Sequence, residues 1–348
     1  MLFTSEQVSN GHPDKICDQI SDAIVTDCLL NDPNSRVAVE CLVKAYHIVI
    51  AGEITSKHQP DYAALIRKML TNIGLPGIDD YIVTQNISEQ SPDIARGVDQ
   101  QGAGDQGMMF GYATHETREM LPMPFVMATA ALQKLKECRD PILLPDAKSQ
   151  VTYDYKHKRI DTFLISTQHQ EEATLADVRK LVQGIMLETA KEYGLNTDFK
   201  VLVNPTGRFV IGSSFADTGV TGRKIIADTY GGACRHGGGA FSGKDPTKVD
   251  RSAAYMARKI AKDVLREGFA KRCEVQLAYA IGVAEPVSIS IDCFGTNRTP
   301  RSGIVKWIRE KYDLTPAGII NTLALRQVDY NRVSSYGHFW NKWSPWEQ

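Results

Sequence analysis

The sequence predicts an α+β fold in which strands and helices form three groups along the chain. With 348 residues, the chain is too long for one ordinary hydrophobic core and favours two or three domains. Helical and strand-like periodicities occur side by side, and hairpin-like strand pairs lie next to helices, which is typical of α+β layers rather than a regular parallel β–α succession. We therefore expect three small domains, at residues 1–100, 101–212 and 213–348.

Five segments have the periodicity of a helix. In the first of them, Pro13 suits the opening turn, and Ile16 and Ile20 follow at helical spacing. In the last, alanines and aliphatic residues form one stripe, which predicts a face that packs against a core. The predicted helices are residues 16–30, 61–72, 124–137, 175–193 and 250–267.

Strand signals lie between these helices. Near the end of the chain, Val287, Ile289 and Ile291 alternate with polar residues, which predicts a strand with those apolar side chains turned inward. The predicted strands lie in residues 37–53 (two strands), 149–168 (two strands around a polar turn at 155–159), 200–211 and 287–293.

Composition narrows the class of protein. Hydrophobic residues make up 43% of the chain and charged residues 23%, with a formal net charge of −1, which argues against a nucleic-acid-binding protein with a broad basic face. The seven cysteines are scattered without a Cys-x-x-Cys pair, so neither a zinc site nor a disulfide framework is indicated. No signal peptide or membrane-spanning run is visible. We expect a cytoplasmic enzyme without nucleic-acid or membrane partners.

The most informative stretch is a glycine-rich loop at residues 237–243, Gly-Gly-Gly-Ala-Phe-Ser-Gly, followed closely by Lys244, Lys248 and Asp250. Because glycines leave backbone N–H groups accessible, such a loop can approach a bound anion. Lysines and an acid beside it suit a polyphosphate carried with a divalent metal. The spacing nearly matches a Walker A loop, but Asp245 stands where that loop has Ser or Thr. Either this is an altered P-loop or a different polyphosphate site; a plain flexible loop is the simplest alternative.

The segment Gly11-His12-Pro13-Asp14-Lys15 stands at the mouth of the first predicted helix. A helix start offers free N–H groups and a partial positive charge, which favour phosphate. His12 and Lys15 could donate to phosphate oxygens, and Asp14 could hold Mg²⁺. A plain helix cap accounts for the same residues.

Further segments carry groups suited to a nucleotide. Asp146 and Lys148 could serve a ribose hydroxyl and a phosphate, or form an exposed turn. Phe209 could stack on a purine, and Arg223 with Lys224 could bind phosphate. A core phenylalanine and a solvated basic pair are the alternatives.

A polar, glycine-rich connection spans residues 89–107. Its blocks at 90–94 and 102–107 place glycines around acids and amides, which fits a hinged lid or an ordinary surface loop.

These blocks, in this order, resemble the S-adenosylmethionine synthetase (methionine adenosyltransferase) family over essentially the whole chain. The nonapeptide at 237–245 is the most specific of them. The matching blocks are residues 11–15, 102–113, 146–149, 204–212, 221–224, 231–252, 279–284 and 336–339.

The resemblance implies three similar α+β domains around a pseudo-threefold axis, each a mixed sheet packed with helices. It implies that the sulfur of L-methionine attacks C5′ of ATP and displaces tripolyphosphate, which is then hydrolysed to phosphate and diphosphate. A thioether is already a competent nucleophile, so the site needs cations rather than a general base. The resemblance also implies a homodimer with shared active sites, paired into a homotetramer, and needs for Mg²⁺ (two ions per site) and K⁺.

Each matching residue acquires an implied role. The catalytic residues would be His12, Lys148, Arg223 and Lys244. The ATP contacts would be His12, Asp146, Lys148, Arg208, Phe209, Asp217, Arg223, Lys224, Ala240 and Lys244. Methionine would contact Glu53, Gln90, Asp217 and Lys248. The metal ligands would be Asp14 and Asp250 for Mg²⁺ and Glu40 for K⁺.

Three features depart from the family's usual pattern. Asn10 replaces the usual Glu, and Ala45-Tyr46 replaces Thr-Gly beside the strand that carries Glu40. The segment 93–102 is shorter than in many relatives, from which we predict a less complete lid and a higher methionine KM, which grafting in a longer loop would lower. The rival interpretations are a P-loop triphosphatase or kinase, and a non-catalytic nucleotide-binding subunit.

Overall fold

Three segments of the chain repeat one order of elements in the computed structural model, which describes residues 1–90, 102–138 and 140–348. Each segment has a strand, a long helix, two strands and a second helix, and the first two segments add a further strand. The strands are β1 (Leu2–Val8), β2 (Arg36–Lys44), β3 (His47–Thr55), β4 (Ile82–Ser88), β5 (Gly107–Thr114), β6 (Leu143–Asp154), β7 (Arg159–His169), β8 (Lys200–Val203), β9 (Gly219–Val220), β10 (Arg272–Tyr279) and β11 (Ser288–Asp292).

The second helix of the chain has a recognisable cap at each end. The side chain of Asp61 accepts a hydrogen bond from the N–H of Ala64 at the start of the second helix, and Gly74 ends that helix with a left-handed φ of 86°. None of the helices in the described ranges is long and apolar enough to cross a bilayer. They are α1 (Pro13–Asn31), α2 (Tyr62–Ile73), α3 (Met123–Glu137), α4 (Leu175–Glu192), α5 (Ser213–Ala216), α6 (Ile225–Asp228), α7 (Val249–Arg266), α8 (Arg301–Lys311) and α9 (Pro316–Thr322). Single 3₁₀ turns lie at Ile78–Asp80, Leu325–Gln327, Tyr330–Arg332 and Pro345–Glu347.

The three sheets exchange their first strands in a cycle. β1 of the first segment pairs with β6 of the second, β5 of the second pairs with β10 of the third, and β9 of the third pairs with β2 of the first. The resulting strand orders are β4-β3-β2-β9, β8-β7-β6-β1 and β11-β10-β5. Each exchanged strand is antiparallel to its neighbour, while β4 and β8 both join in parallel. This repetition confirms three similar domains, cyclically related, each a sheet packed with helices. The first two sheets are mixed, as predicted, whereas the third is antiparallel throughout.

The long helix of each segment packs on a sheet. α1 lies on β2, α3 lies on β1 and β6, and α7 lies on β5 and β10. One cluster of buried side chains joins α1 and α7 with the first and third sheets, and a second cluster joins α3 and α4 with the sheet of β6. Because α1 and α7 share a core, the positions of their N-termini are fixed relative to one another.

Most of the predicted elements are confirmed. All five predicted helices are present, as are the strand pairs within 37–53 and 149–168. The strand predicted over 200–211 is wrong beyond Val203, because Asn204 (φ 42°) and Gly207 (φ 94°) are left-handed and turn the chain away. The inward direction predicted for Val287 is also wrong, since Val287 is 61% exposed and precedes β11.

The exchanged strands β1, β5 and β9 are absent from the sequence-based prediction, as are β4 and β10. Each exchanged strand belongs to one segment of the sequence and to the sheet of another. The sheets therefore do not test the predicted domain bounds 1–100, 101–212 and 213–348, which stay a prediction. Residues 91–101 lie outside the described residues, and with them most of the segment for which we predict an incomplete lid.

Candidate active site

The N-terminus of α1 is closed by the side chain of His12. Its Nδ1 accepts a hydrogen bond from the backbone N–H of Asp14 at 3.2 Å, so His12 is the N-cap. His12 is buried, and its burial, together with nearby Lys224 and Lys148, lowers its pKa to about 3. The ring is therefore neutral at physiological pH. Because Nδ1 accepts, Nε2 carries the proton and can donate to a ligand.

Asp14 holds the segment 219–224 against the first turn of α1. Its Oδ1 accepts from the N–H of Val220 and from Nε of Arg223, both at 2.9 Å, and its Oδ2 contacts Nζ of Lys224 at 2.5 Å. Burial alone would raise the pKa of Asp14, but the hydrogen bonds from Lys224, Val220 and Arg223 outweigh it and lower that pKa. Two predicted phosphate-binding cations therefore lie beside a predicted metal ligand.

Lys15 points into the protein, so the prediction that it donates to phosphate is wrong. Its ammonium group is buried and contacts the carboxylates of Asp18 at 2.9 Å and Asp228 at 2.5 Å. Burial opposes the charge, but the two carboxylates hold the pKa of Lys15 above its usual value. Successive side chains of a helix leave in different directions, so Lys15 faces the core while its neighbour Asp14 faces the helix mouth.

The pairing of β1 with β6 places Lys148 beside the end of β1, close to His12. Lys148 is exposed, whereas Asp146 is buried and its Oδ2 accepts from the N–H of Ser213 at 2.7 Å. Burial raises the pKa of Asp146 to about 6. The exposed Asp217 acts electrostatically on both His12 and Asp146. The helix-mouth group consists of His12, Asp14, Asp146, Lys148, Asp217, Arg223 and Lys224.

Arg208 and Phe209 lie apart from the helix-mouth group. Nη2 of the exposed Arg208 pairs with Oε1 of Glu171 at 2.6 Å. Phe209 is half-buried; its carbonyl accepts from the N–H of His169 at 2.9 Å and its own N–H donates to Nε2 of that histidine at 3.1 Å. No hydrogen bond or ion pair in the described part of the chain joins Arg208 or Phe209 to the helix-mouth group, and their contacts with ATP stay predictions.

Asp245, the residue that departs from the Walker A pattern, fixes the glycine loop to β2. Its Oδ2 accepts from the N–H of Val37 at 2.7 Å and from Nζ of Lys248 at 2.8 Å, and its Oδ1 accepts from the N–H of Thr247 at 2.8 Å. The side chain is fully buried. The loop also runs through a turn before α7 begins at Val249, whereas a P-loop leads straight into its helix. The structure therefore argues against a Walker A loop at this position, and polyphosphate binding stays a prediction.

Lys244 and Asp250 form an ion pair beside a cavity of 420 Å³. Their Nζ and Oδ2 atoms are 2.6 Å apart, and each side chain is about a quarter exposed. Both residues line the cavity, and so do Glu53, Gln90 and Lys248, three of the four residues predicted to bind methionine. The chain thus gathers these side chains from β3, from the end of β4 and from the start of α7.

A second cavity, of 320 Å³, lies on the same face of the first sheet. It is lined by Glu40, which is predicted to hold K⁺, by Ala240, and by Glu53 and Lys244, which it shares with the first cavity. The glycine-loop group consists of Glu40, Glu53, Gln90, Ala240, Lys244, Lys248 and Asp250.

The polar side chains of the two groups do not pair with one another within the described part of one chain. Across residues 1–90, 102–138 and 140–348, no hydrogen bond or ion pair joins the helix-mouth group to the glycine-loop group. What connects them is the backbone of 219–224, which pairs with β2 through β9 and contacts Asp14.

Sequence reasoning missed two acidic residues of α1, one of which contacts the segment 219–224 and the other the glycine loop. Asp18 accepts from the N–H of Gly222 at 2.8 Å, and Asp22 accepts from the N–H of Gly243 at 3.0 Å. A signal was present, because Asp14, Asp18 and Asp22 recur every fourth residue and share one helix face. Such a stripe usually indicates a solvated face, and only the packing shows that this one is buried.

Comparison with known proteins identifies the family. The S-adenosylmethionine synthetase N-terminal domain matches residues 1–92, the central domain matches residues 100–209, and the C-terminal domain matches residues 211–348. The chain belongs to the S-adenosylmethionine synthetase family. Among its relatives are the S-adenosylmethionine synthases of two strains of Staphylococcus epidermidis, each 48% identical over an alignment of 379 positions that covers 100% of this chain and 95% of the relative.

The S-adenosylmethionine synthetase domains all contribute to the helix-mouth group. His12 lies in the N-terminal match, Lys148 in the central match and Arg223 in the C-terminal match. Strand exchange explains this, since β1 carries the N-terminal segment to β6, and β9 brings the C-terminal segment back to β2. The glycine-loop group draws on the N-terminal and C-terminal matches.

The donor groups fit the metals that the S-adenosylmethionine synthetase resemblance implies. Mg²⁺ is commonly held by one or two carboxylates, with phosphates and waters completing its shell. Asp14 and Asp250 are carboxylates of this kind, each next to a cation that suits phosphate. No group of three or more His, Cys, Asp or Glu gathers around a metal-sized site in the described ranges. Binding of Mg²⁺ through Asp14 and Asp250 stays a prediction.

Proposed function

We propose that the protein synthesises S-adenosylmethionine from ATP and L-methionine. The observation that carries the proposal is the 420 Å³ cavity, where Glu53, Gln90 and Lys248 lie beside Lys244 and Asp250 in a chain of this family. The acid, the amide and the ammonium group suit the charged ends of an amino acid, and the lysine beside an acid suits a metal-bound phosphate. The relatives from Staphylococcus epidermidis are named for the same activity.

In the proposed reaction the sulfur of methionine attacks C5′ of ATP. The C5′–S bond forms while the C5′–O bond breaks, and tripolyphosphate leaves with the bonding electron pair. The neutral thioether has no proton to lose, so the demand on the protein is to stabilise negative charge on the leaving oxygen. His12 can donate from Nε2, and Arg223, Lys148 and Lys244 add positive charge. Hydrolysis of tripolyphosphate to phosphate and diphosphate completes the proposed cycle.

The remaining ATP and methionine contacts keep the roles implied by the family. Asp146 and Phe209 would hold the adenosine, and Asp217 would contact both substrates. Arg208, Lys224 and Ala240 would complete the ATP contacts.

Asp14 and Asp250 would hold Mg²⁺, and Glu40 would hold K⁺. Bound Mg²⁺ would neutralise charge on the triphosphate as it leaves. Lys224 contacts Asp14 and Lys244 contacts Asp250. A small movement of either ammonium group would exchange its carboxylate for a phosphate oxygen.

The lack of a direct polar contact between the two groups in the described residues supports a site shared between two copies of the chain. The outer face of the first sheet carries Glu40 and Glu53, and it also exposes Leu42, Val49 and Ile82 by 39%, 38% and 56%. An open apolar sheet face next to half of a site is suited to a second copy. We propose a homodimer across this face, in which the helix-mouth group of one chain completes the glycine-loop group of the other, and a tetramer of two such dimers.

The activity is tested by incubating the full chain with ATP, methionine, Mg²⁺ and K⁺. Formation of S-adenosylmethionine, detected by mass spectrometry together with phosphate and diphosphate, is the expected result. ADP as the product would favour the kinase interpretation, and tight ATP binding without turnover would favour the non-catalytic subunit.

The shared site is tested by mixing two inactive variants after joint refolding. His12→Ala and Lys244→Ala change different groups, so a mixed dimer contains one site with both changes and one with neither, and activity returns. His12→Ala mixed with Arg223→Ala is the control, because both changes fall in one group and each site of that dimer keeps a defect. Equal recovery, or none in either mixture, contradicts the shared site.

A further inference from the structure

A buried ion pair beneath the glycine loop plays no part in the proposed reaction. Asp22 of α1 and Arg251 of α7 are both fully buried. Nη1 of the arginine lies 2.7 Å from Oδ1 and Nη2 lies 2.8 Å from Oδ2, which is the bidentate geometry of a strong, directional pair. Arg251 directly follows Asp250, so the pair links α1 to the start of α7.

The acid of this pair also holds the end of the glycine loop. Its Oδ2 accepts from the hydroxyl of Ser242 and its Oδ1 accepts from the N–H of Gly243, both at 3.0 Å. Gly243 is left-handed, with a φ of 83°, and a Cβ there would lie 2.0 Å from the carbonyl oxygen of Val39. The N–H of Val39 donates in turn to the carbonyl of Gly243 at 2.9 Å. The loop end is therefore fixed between β2 and α1.

The arginine of the pair reaches the residue that follows the loop. Nη1 of Arg251 donates to the carbonyl oxygen of Lys244 at 2.8 Å, so one guanidinium contacts both Asp22 and the backbone of a predicted phosphate ligand. On its other side, Nε donates to the hydroxyl of Tyr255 at 3.0 Å, and the guanidinium carbon lies 3.9 Å from the ring centre of Tyr330. These contacts leave the arginine little freedom to move.

We propose that Asp22 and Arg251 are a positioning pair that holds the glycine loop and Lys244 in the conformation that binds a polyphosphate. The inference rests on the proposed function, which assigns the polyphosphate to this loop. A loop rich in glycine samples many conformations. Its apparent affinity for a ligand is proportional to the fraction of time it spends in the conformation that binds. The pair is fully buried beneath the loop and acts through Ser242, Gly243 and Lys244.

Two substitutions separate positioning from plain stability. Arg251→Lys keeps a positive charge beside Asp22, but its single ammonium group lacks the fixed fork that contacts both that acid and the carbonyl of Lys244. Tyr255→Phe is the matched control, because it removes one hydrogen bond of the same guanidinium on the side away from the loop. A purely structural role predicts a lower thermal midpoint and unchanged ligand affinity in both variants.

The measurement is calorimetric titration of the full chain with inorganic tripolyphosphate and Mg²⁺, together with KM for ATP and kcat. We expect Arg251→Lys to weaken tripolyphosphate binding and raise the KM for ATP about tenfold, and Tyr255→Phe to change both by less than about twofold. Ser242→Ala, which removes one of the two loop-side hydrogen bonds of Asp22, should follow Arg251→Lys and replaces it if that variant does not fold. Equal affinity in all variants overturns the positioning role.

The experiments distinguish a failure of the proposed function from a failure of the positioning pair. A wild-type chain that binds tripolyphosphate but forms no S-adenosylmethionine overturns the proposed function, while the variant series still measures the positioning. A fully active wild type with an Arg251→Lys variant of unchanged affinity overturns only the positioning pair.

Discussion

The helix-mouth group and the glycine-loop group carry similar charges but hold them differently. At the helix mouth, His12, Asp14 and Asp146 are almost fully buried, and their pKa values are displaced by burial and by neighbouring charges. In the glycine loop, Lys244 and Asp250 remain about a quarter exposed. The side chains of the helix-mouth group are thus held by the packing around them. The side chains of the glycine-loop group are held in place by the residues beneath the loop. Substitutions at the helix mouth should change stability as well as activity, and substitutions in the loop mainly activity.

The largest expected effect on stability comes from Lys15→Met. It leaves the buried carboxylates of Asp18 and Asp228 without their cation, and removing one partner of a buried pair costs about 3–5 kcal/mol. The measurement is the free energy of unfolding in urea. Lys224→Met is the control, since its ammonium group also contacts an aspartate but is 22% exposed. If both variants lost the same stability, the distinction between core and site lysines would not hold.

The next largest effect is catalytic and falls on the glycine loop. Lys244→Ala should lower kcat by about 10²–10³, because it removes a preorganised charge from the leaving group. The free energy of unfolding should change by less than about 1 kcal/mol, because the ion pair remains in contact with solvent, which screens its charges. The matched control is Lys259→Ala on α7, whose ammonium group is 22% exposed and lies 3.2 Å from Asp263. Full activity of Lys244→Ala contradicts the role assigned to this loop.

A smaller effect is expected at Asp146, where a substitution should raise stability and weaken ATP binding. Burial raises its pKa from 3.8 to about 6, so the folded state binds the proton more tightly than the unfolded state does. The stability this group contributes is complete below pH 3.8 and is lost as the pH rises through about 6. Asp146→Asn removes the buried charge and should stabilise the chain by up to roughly 3 kcal/mol at pH 8 while weakening ATP binding.

Denaturation curves of Asp146→Asn and the wild type at pH 5 and pH 8 check this prediction. The stabilisation should shrink at the lower pH, where the wild-type carboxyl is largely protonated. A constant difference between the two pH values would falsify the assigned titration.

The smallest effect is expected at the surface pair of Arg208 and Glu171. Glu171→Ala should change the free energy of unfolding by less than about 1 kcal/mol, because both side chains are exposed and solvent screens their charges. It should leave the KM for ATP unchanged or lower it, since it frees Arg208 to reach a ligand. A raised KM would show that Glu171 orients this arginine for its proposed contact.

Sequence patterns predicted the helices better than the sheets. A helix such as α7 is set by contacts between residues three and four apart, so its alanine stripe is visible in the sequence. β5 has no such signal: it is buried on both faces, begins with glycine and finds its partner β10 far along the chain. The two-residue β9 is too short for any periodicity, yet it closes the cycle of strands.

The candidate site divides in the same way. The residue types at His12, Asp14, Lys244 and Asp250 are visible in the sequence. The structure shows ion pairs of Asp14 with Lys224 and of Asp250 with Lys244, and the roles of all four residues stay predictions. The direction of Lys15 could not be predicted, because a lysine at a helix start serves equally well as a ligand or as a core counter-charge. The role of Asp245 could not be predicted either. In the sequence it only departs from the Walker A pattern, whereas its contacts with Val37 and Lys248 show that it fixes the loop to β2.

The sequence by itself determined the α+β class, the family, the helices and the chemical groups available for binding polyphosphate and an amino acid. These depend on composition and on interactions within a few residues. Tertiary structure alone decided that three sheets exchange strands, that Asp18 and Asp22 are buried, and that the polar groups fall into two groups without a direct polar contact among the described residues. The physical reason is the distance along the chain between the interacting residues. Strand exchange and buried ion pairs join residues far apart in the chain, and their free energy depends on a desolvated neighbourhood that exists only after packing.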